Sequence, residues 1–221
     1  MLKALLFDID GTLVETDTLH YEIWRQVLAE EGLEIDDAAY KQKISGRLNP
    51  NIVRDLLPHL SSEQQTAFAE HKEAVFREQA ALEPLNGLLD CLSWASDRHL
   101  IRAVVSNAPK ENAEFMLKSL KVADAFSLVV LGGELPHGKP HPLPYQEALR
   151  LLNLSPEEAI AFEDSPSGIQ SAVAAEIAVV GVASTHDPEE LKKLGAAIVI
   201  KDFADPLLMK WLSQKLDAMP V

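Results

Sequence analysis

Short apolar runs alternate with segments of helical period along most of this chain, and one long stretch lacks the apolar runs altogether. The first run sits in LLFDIDGTLVET (5–16) and reads as a buried strand. Residues 17 to 31 then place Leu19, Ile23 and Val27 on one helical stripe and His20, Trp24 and Leu28 on the next, with Gly32 as a C-terminal stop. From 36 to 82 the pattern stays helical. Ser61 and Ser62 stand three positions before Gln64 and Gln65, a capping box that opens a helix reaching about residue 80. Beyond Pro84 helices alternate with strands: helix 87–97, strand 101–106, helix 110–119, strand 127–132, helix 142–152, a helix start at SPEEA, strand 159–163, helix 166–175, strand 178–183, helix 187–195, strand 196–200 and a last helix near 205–218. Alternation of this kind predicts a parallel, doubly wound α/β sheet. The expected architecture is a Rossmann-like core (1–15 with 83–221) carrying an all-helical cap at 16–82.

Composition narrows the partners. The 221 residues include 34 acidic against 20 basic side chains, a formal charge of −14, so nucleic acid and anionic membranes are disfavoured. A small phosphate ester would be repelled at long range too, and its site must concentrate positive charge locally. The lone Cys91 in GLLDCLSWA reads as a buried helical thiol, which fits a reducing compartment. Neither a signal peptide nor a membrane-length apolar run is seen, and the expected setting is cytoplasmic, as a monomer or weak dimer.

The first strand ends by placing Asp8 and Asp10 on one side, two positions apart, where burial makes their mutual charge costly. Ligands of open α/β sheets bind beyond the carboxyl ends of the central strands. Collecting the residues there gives Asp8, Asp10, Gly11 and Thr12 after the first strand, and Ser106, Asn107 and Ala108 after the second. Lys139 follows the third, and Glu163, Asp164 and Ser165 follow the fourth. Hard carboxylate oxygens suit Mg²⁺, with Asp8, Asp164 and Glu163 as candidate ligands. Lys139 and turn N–H groups are then available for a phosphate. Each piece alone has a plainer reading: a D-x-D turn, a serine cap, a solvated loop lysine. Four independent strand ends that each supply what one site requires weigh against all of these together.

The motifs FDIDGTL, VVSNA, GKPHP and FEDSPSGIQSA resemble the four sequence motifs of the haloacid dehalogenase superfamily, in its helical-cap phosphatase and phosphomutase subgroup. HYEIW, SNAPKENAEFM and KPHPLPY look most like its sugar-phosphate phosphatases. The resemblance implies that Asp8 attacks phosphorus to form an aspartyl-phosphate and that Asp10 protonates the leaving oxygen and then activates water. It implies that Ser106 and Lys139 hold the transferring group. It also implies that Asp164, Asp8 and the Asp10 carbonyl bind Mg²⁺, with Glu163 contributing directly or through water. In the cap it points to His20 and Trp24 near the hinge and to SGRLN (45–49) as the specificity loop, which presents Gly46 and Arg47 to a small phosphorylated metabolite. Lys72 is a further substrate-binding candidate, set against a reading as a solvated helix-face lysine. Two departures stand out. Mutase relatives carry arginine where this chain has Asn49, which weakens the β-phosphoglucomutase alternative. Glu176 occupies a helix-to-strand turn where relatives have glycine and a left-handed backbone is expected. A regulatory phosphometabolite-binding protein is the alternative outside enzyme chemistry.

Overall fold

The computed structural model describes residues 1–217. Strands β1 (Ala4–Phe7), β2 (Ile101–Ser106), β3 (Leu128–Leu131), β4 (Ala159–Glu163), β5 (Ala178–Val182) and β6 (Ile198–Ile200) form one parallel sheet in the order β3-β2-β1-β4-β5-β6. All four residues of β1 are buried, as its unbroken apolar run requires of a central strand. Leu5 and Phe7 join the core on one face of the sheet, Ala4 and Leu6 the core on the other. Phe7 stacks on Phe162 at 4.7 Å, which locks β1 against β4. The strand order runs outward in both directions from β1. Its carboxyl end is therefore the switch point where a crevice opens.

Helices α1 (Asp17–Glu30), α2 (Asp37–Lys43), α3 (Asn49–Leu56) and α4 (Ser62–Gln79) follow β1 in sequence. Then α5 (Leu88–Asp97), α6 (Lys110–Ser119), α7 (Leu143–Leu152), α8 (Pro166–Ala174), α9 (Pro188–Lys193) and α10 (Pro206–Asp217) alternate with the remaining strands. Helices α1 and α3 pack on α4. The inward stripe of α1 (Ile23, Trp24, Val27, Leu28) belongs to the same apolar cluster as Phe7 and Phe162. The helical stretch expected over 36–82 is thus three helices. Asp36 caps α2 by accepting from Ala39 N at 2.7 Å, and Ser61 with Gln64 forms the capping box of α4. SPEEA opens only a single 3₁₀ turn, Pro156–Glu158, because β4 begins at Ala159 and leaves no room for more. The last strand is shorter than expected, and the predicted helix end at 218 lies outside the described residues. Cys91 is buried in α5, and burial pushes its thiol up to about 12. No helix among the described residues is long and apolar enough to cross a membrane.

Glu176 adopts φ = 62° after α8, where Ile177 N donates to Ala172 O at 3.1 Å and closes the turn. Left-handed backbone costs a residue with a Cβ about 1–2 kcal/mol, and glycine returns part of that gain as unfolded-state entropy. Glu176→Gly should therefore raise stability by about 0.5–1 kcal/mol in a denaturant titration. An unchanged or lowered midpoint would show that the glutamate side chain has compensating contacts.

Candidate active site

Asp8 and Asp10 leave the end of β1 with separate partners, and this resolves their crowding. Asp8 N donates to Phe162 O at 3.1 Å, so the strand pairing extends through the first aspartate. Its Oδ1 accepts from Lys139 Nζ at 2.6 Å. Asp10 Oδ1 instead accepts from Thr16 Oγ1 at 2.6 Å and lies 3.1 Å from His20 Nε2. Burial alone would raise the pKa of Asp10, but the His20 ring, the Thr16 hydroxyl and the Lys72 ammonium hold it below the ordinary carboxylate range.

Lys139 is buried rather than solvated. Its Nζ also donates to Val105 O at 2.7 Å and lies 2.5 Å from Glu163 Oε1. Burial would lower its pKa, yet the Asp8 and Glu163 carboxylates outweigh that and hold it above its ordinary value. Its backbone is fixed by Asn107, whose Oδ1 accepts from Lys139 N at 3.0 Å and whose Nδ2 donates to Lys139 O and Gly46 O at 3.1 and 3.2 Å. The Asn107 side chain, expected among the substrate-binding groups, is thus occupied in clamping two loops together. Ser106 Oγ accepts from Ala108 N at 3.1 Å, which leaves the hydroxyl proton for another acceptor.

Asp8, Glu163 and Asp164 each present an oxygen within 4.8 Å of the others. Burial, reinforced by Asp8, raises Glu163 to about 7 against the lowering pull of Lys139. Burial and the charges of Asp8 and Glu163 drive Asp164 well above the carboxylate range, and burial likewise raises Asp8. Glu163 Oε2 is buried without a hydrogen-bond partner, although Tyr145 donates to Oε1. Two glycines make room for this cluster. A Cβ on Gly168 would lie 1.8 Å from Glu163 Oε2, and one on Gly11, whose φ is +73°, would lie 2.0 Å from Asp164 Oδ2. Three crowded carboxylates whose oxygens converge in this way could hold a metal ion, and hard oxygen donors suit a divalent cation.

These shifts set a pH dependence. Glu163 binds its proton more tightly folded than its ordinary value of 4.5 allows, so stability falls as pH rises from there to about 7. Asp164 acts with the same sign. Asp10 and Glu73, held below their ordinary values, act with the opposite sign only at or below about 4.5. His186, lowered by burial, opposes the trend up to its ordinary 6.5, one group against the two raised carboxylates. The metal-free protein should melt at a lower temperature at about pH 7.5 than at about pH 5, and Mg²⁺ should raise the melting temperature more at the higher pH. A flat metal-free profile would contradict the carboxylate assignment.

The helical insertion covers the cluster and leaves a cavity of about 100 Å³. Asp8, Asp10, Gly11, His20, Trp24, Gly46, Arg47, Lys72, Ser106, Asn107, Ala108, Lys139 and Asp164 all line it. Thr12 does not. It is fully buried, and its amide donates to Ile9 O at 3.1 Å because the chain doubles back after Asp10. Lys72 is buried, and the solvated reading fails: its Nζ lies 2.8 Å from His20 Nδ1 and 2.9 Å from Glu73 Oε1, above the Trp24 ring. Trp24 both packs in the core and faces the cavity. Arg47 reaches the cavity wall, but its guanidinium donates to Asp55 Oδ2 at 2.5 Å and Lys43 O at 2.7 Å.

Several supporting residues are absent from the sequence reading, namely Thr16, Tyr145, Glu73 and Asn112, and Asn49 figures in it only as a departure from the mutase pattern. Glu73 had a readable signal. Phe68, Ala69, Lys72, Glu73 and Phe76 fall at helical spacing on one stripe of α4, so two charged residues occupy apolar positions.

A parallel sheet with four helices between β1 and the alternating remainder, and a carboxylate–lysine cluster at its switch point, defines an α/β protein with a candidate active site at the carboxyl ends of its central strands. The family model for haloacid dehalogenase-like hydrolases matches residues 5–182, and the chain belongs to that family. Validoxylamine A 7'-phosphate phosphatase of Streptomyces hygroscopicus is 29% identical over 93% of this chain and 96% of its own. The fructose-1-phosphate phosphatase of Escherichia coli is 31% identical over 81% of this chain and 95% of its own. The crystal structure of β-phosphoglucomutase from Clostridium difficile superposes with a TM-score of 0.84 at 24% identity, covering 97% of each chain, and shares the fold.

Proposed function

We propose that this enzyme is a Mg²⁺-dependent phosphatase that hydrolyses small phosphate monoesters, sugar phosphates foremost, through an aspartyl-phosphate on Asp8. The observation that carries this reading is the division of labour between the two aspartates. Asp8 lies against Lys139 and the carboxylate cluster, while Asp10 stands apart on Thr16 and His20. Asp8 attacks phosphorus as the bond to the leaving oxygen breaks, and Asp10 gives that oxygen its proton. A phosphate dianion arriving beside Asp10 raises its pKa at the moment an acid is needed. Asp10 then takes a proton from water, which attacks phosphorus and breaks the bond to Asp8. Ser106 and Lys139 hold the transferring oxygens. Asp8, Asp164 and the Asp10 carbonyl would hold Mg²⁺, with Glu163 ligating directly or through water. The ion would supply charge neutralisation for the phosphoryl group.

In this reading residues 16–82 form the cap and 1–15 with 83–221 the catalytic core. The phosphatase and fructose-phosphatase relatives favour it. Against a mutase, Asn49 donates its amide to the buried carboxylate of Glu73, and Arg47 is paired with Asp55. Phosphate release measured across a panel of phosphorylated metabolites tests the proposal. Sugar phosphates should be hydrolysed with Mg²⁺, and EDTA should silence the reaction until Mg²⁺ is restored. Full activity in chelator would remove the metal, phosphosugar isomerisation without net phosphate release would favour the mutase, and tight binding without turnover would favour the regulatory protein.

A further inference from the structure

The wall opposite the carboxylate cluster is unusual for a site that receives a phosphate ester, because its lysine and arginine are both engaged by carboxylates. Glu73 is only 5% exposed, yet it lines both the catalytic cavity and a larger cleft of about 1070 Å³ beside it. Its carboxylate is held by three donors from three elements. Lys72 of α4 reaches Oε1 at 2.9 Å, Asn49 of α3 donates to the same oxygen, and Asn112 of α6 donates to Oε2. Burial by itself would raise its pKa, but Lys72, His20 and Asn49 hold it below the ordinary range, so it is ionised at neutral pH.

The two insertion cations that face the cavity are both held in ion pairs. Lys72 is paired with Glu73, and Arg47 lies 2.5 Å from Asp55. Asp17 adds a further carboxylate to the lining. In the outer cleft Arg54 shares Asp55 with Arg47, and Arg77 is paired with Glu111, at 3.4 Å each. Among the described residues, Lys110 at the exposed outer rim is the one cleft lysine or arginine with no ion pair. It does not line the catalytic cavity. With the reacting phosphoryl on Lys139, a second anion in the cavity finds no lysine or arginine free of a carboxylate partner, and Glu73 holds the charge of Lys72.

We propose that Glu73 is a specificity-determining residue: it selects monoesters whose leaving group is a neutral polyol and rejects those bearing a second phosphate or a carboxylate. This rests on the phosphatase reading and adds the substrate class to it. Hydroxyls suit the wall, since Lys72 has committed only two of its three N–H groups and Glu73 Oε2 has a lone pair beyond the bond from Asn112. The same features that attract hydroxyls do little for an anion. By cancelling the charge that Lys72 would otherwise offer, Glu73 costs a second anion about ten- to a hundredfold in binding.

The test compares kcat/KM for phosphate release from sorbitol 6-phosphate, fructose 1,6-bisphosphate and 2-phosphoglycolate, with the full chain in Mg²⁺. The wild type should favour sorbitol 6-phosphate over both others by at least about tenfold. Glu73→Gln should narrow that preference about tenfold, chiefly through a lower KM for the anionic probes. Asp55→Asn, at an exposed position that leaves the core untouched, should narrow it as well by releasing the charge of Arg47. A wild-type enzyme that hydrolyses the bisphosphate or phosphoglycolate within threefold of the polyol ester, or better, overturns the proposal. So does an unchanged preference in both variants at intact melting temperature. If Glu73→Gln does not fold, the wild-type ratio and Asp55→Asn decide the matter. Absence of hydrolysis on all three, and on the wider panel, would instead refute the phosphatase reading itself.

Discussion

Asp8→Asn is expected to abolish phosphate release, with kcat reduced by about a thousandfold or more on every substrate. An amide nitrogen is a poor nucleophile, and the amide oxygen carries no full charge for a hard cation. The protein should nonetheless fold. Asp8 loses its ion pair with Lys139, but Lys139 keeps Glu163 at 2.5 Å and the Val105 carbonyl at 2.7 Å. Removing one of three crowded carboxylates also relieves the repulsion that burdens Glu163 and Asp164. The metal-free variant should therefore melt close to, or above, the metal-free wild type, while Mg²⁺ stabilises it less. No phosphoenzyme should be seen by mass spectrometry after acid quench. Activity above about a tenth of wild type would remove Asp8 from the nucleophile's role.

The convergence of the candidate site residues was legible because they lie where chain topology alone places them. Apolar runs mark the buried strands, and whatever follows a central strand of a doubly wound sheet faces the crevice. Asp8, Ser106, Lys139 and Asp164 could thus be collected from four separate strand ends, and all four line one cavity. Residues beyond the strand ends were less readable because their orientation depends on tertiary partners. Thr12 follows the two aspartates in sequence but turns under them, since Thr12 and Leu13 donate back to Ile9 O and Gly11 donates forward to Val14 O. Asn107 occupies the expected position, yet its amide bridges Gly46 and Lys139. Lys72 has the composition of a surface lysine, and its burial depends on Glu73, His20 and Trp24 arriving from three turns of helix. Arg47 was readable as a loop arginine but its pairing with Asp55, eight residues on, was not. In each case the residue type was informative and the missing information was the partner.

Asp10→Asn should separate the two half-reactions. An asparagine can keep the hydrogen bond from Thr16 and the contact to His20, so the local structure should survive. What it cannot do is exchange a proton. On a sugar phosphate the leaving alkoxide then departs unprotonated, and the loss should be about two to four decades in kcat, with no phosphoenzyme accumulating because its formation is slowed. On p-nitrophenyl phosphate the phenolate leaves without an acid, so Asp8 should still be phosphorylated rapidly. In the proposed mechanism the second half-reaction also depends on Asp10, now as the base that activates water. Hydrolysis of the aspartyl-phosphate should therefore become limiting. Rapid-mixing measurements should show a burst of nitrophenolate equal to the enzyme concentration, followed by slow turnover, and acid-quenched protein should carry one phosphate. A positional role alone would give a different pattern: equal losses on both substrates and no burst. That outcome would take proton transfer away from Asp10 and leave Asp8 in need of another acid.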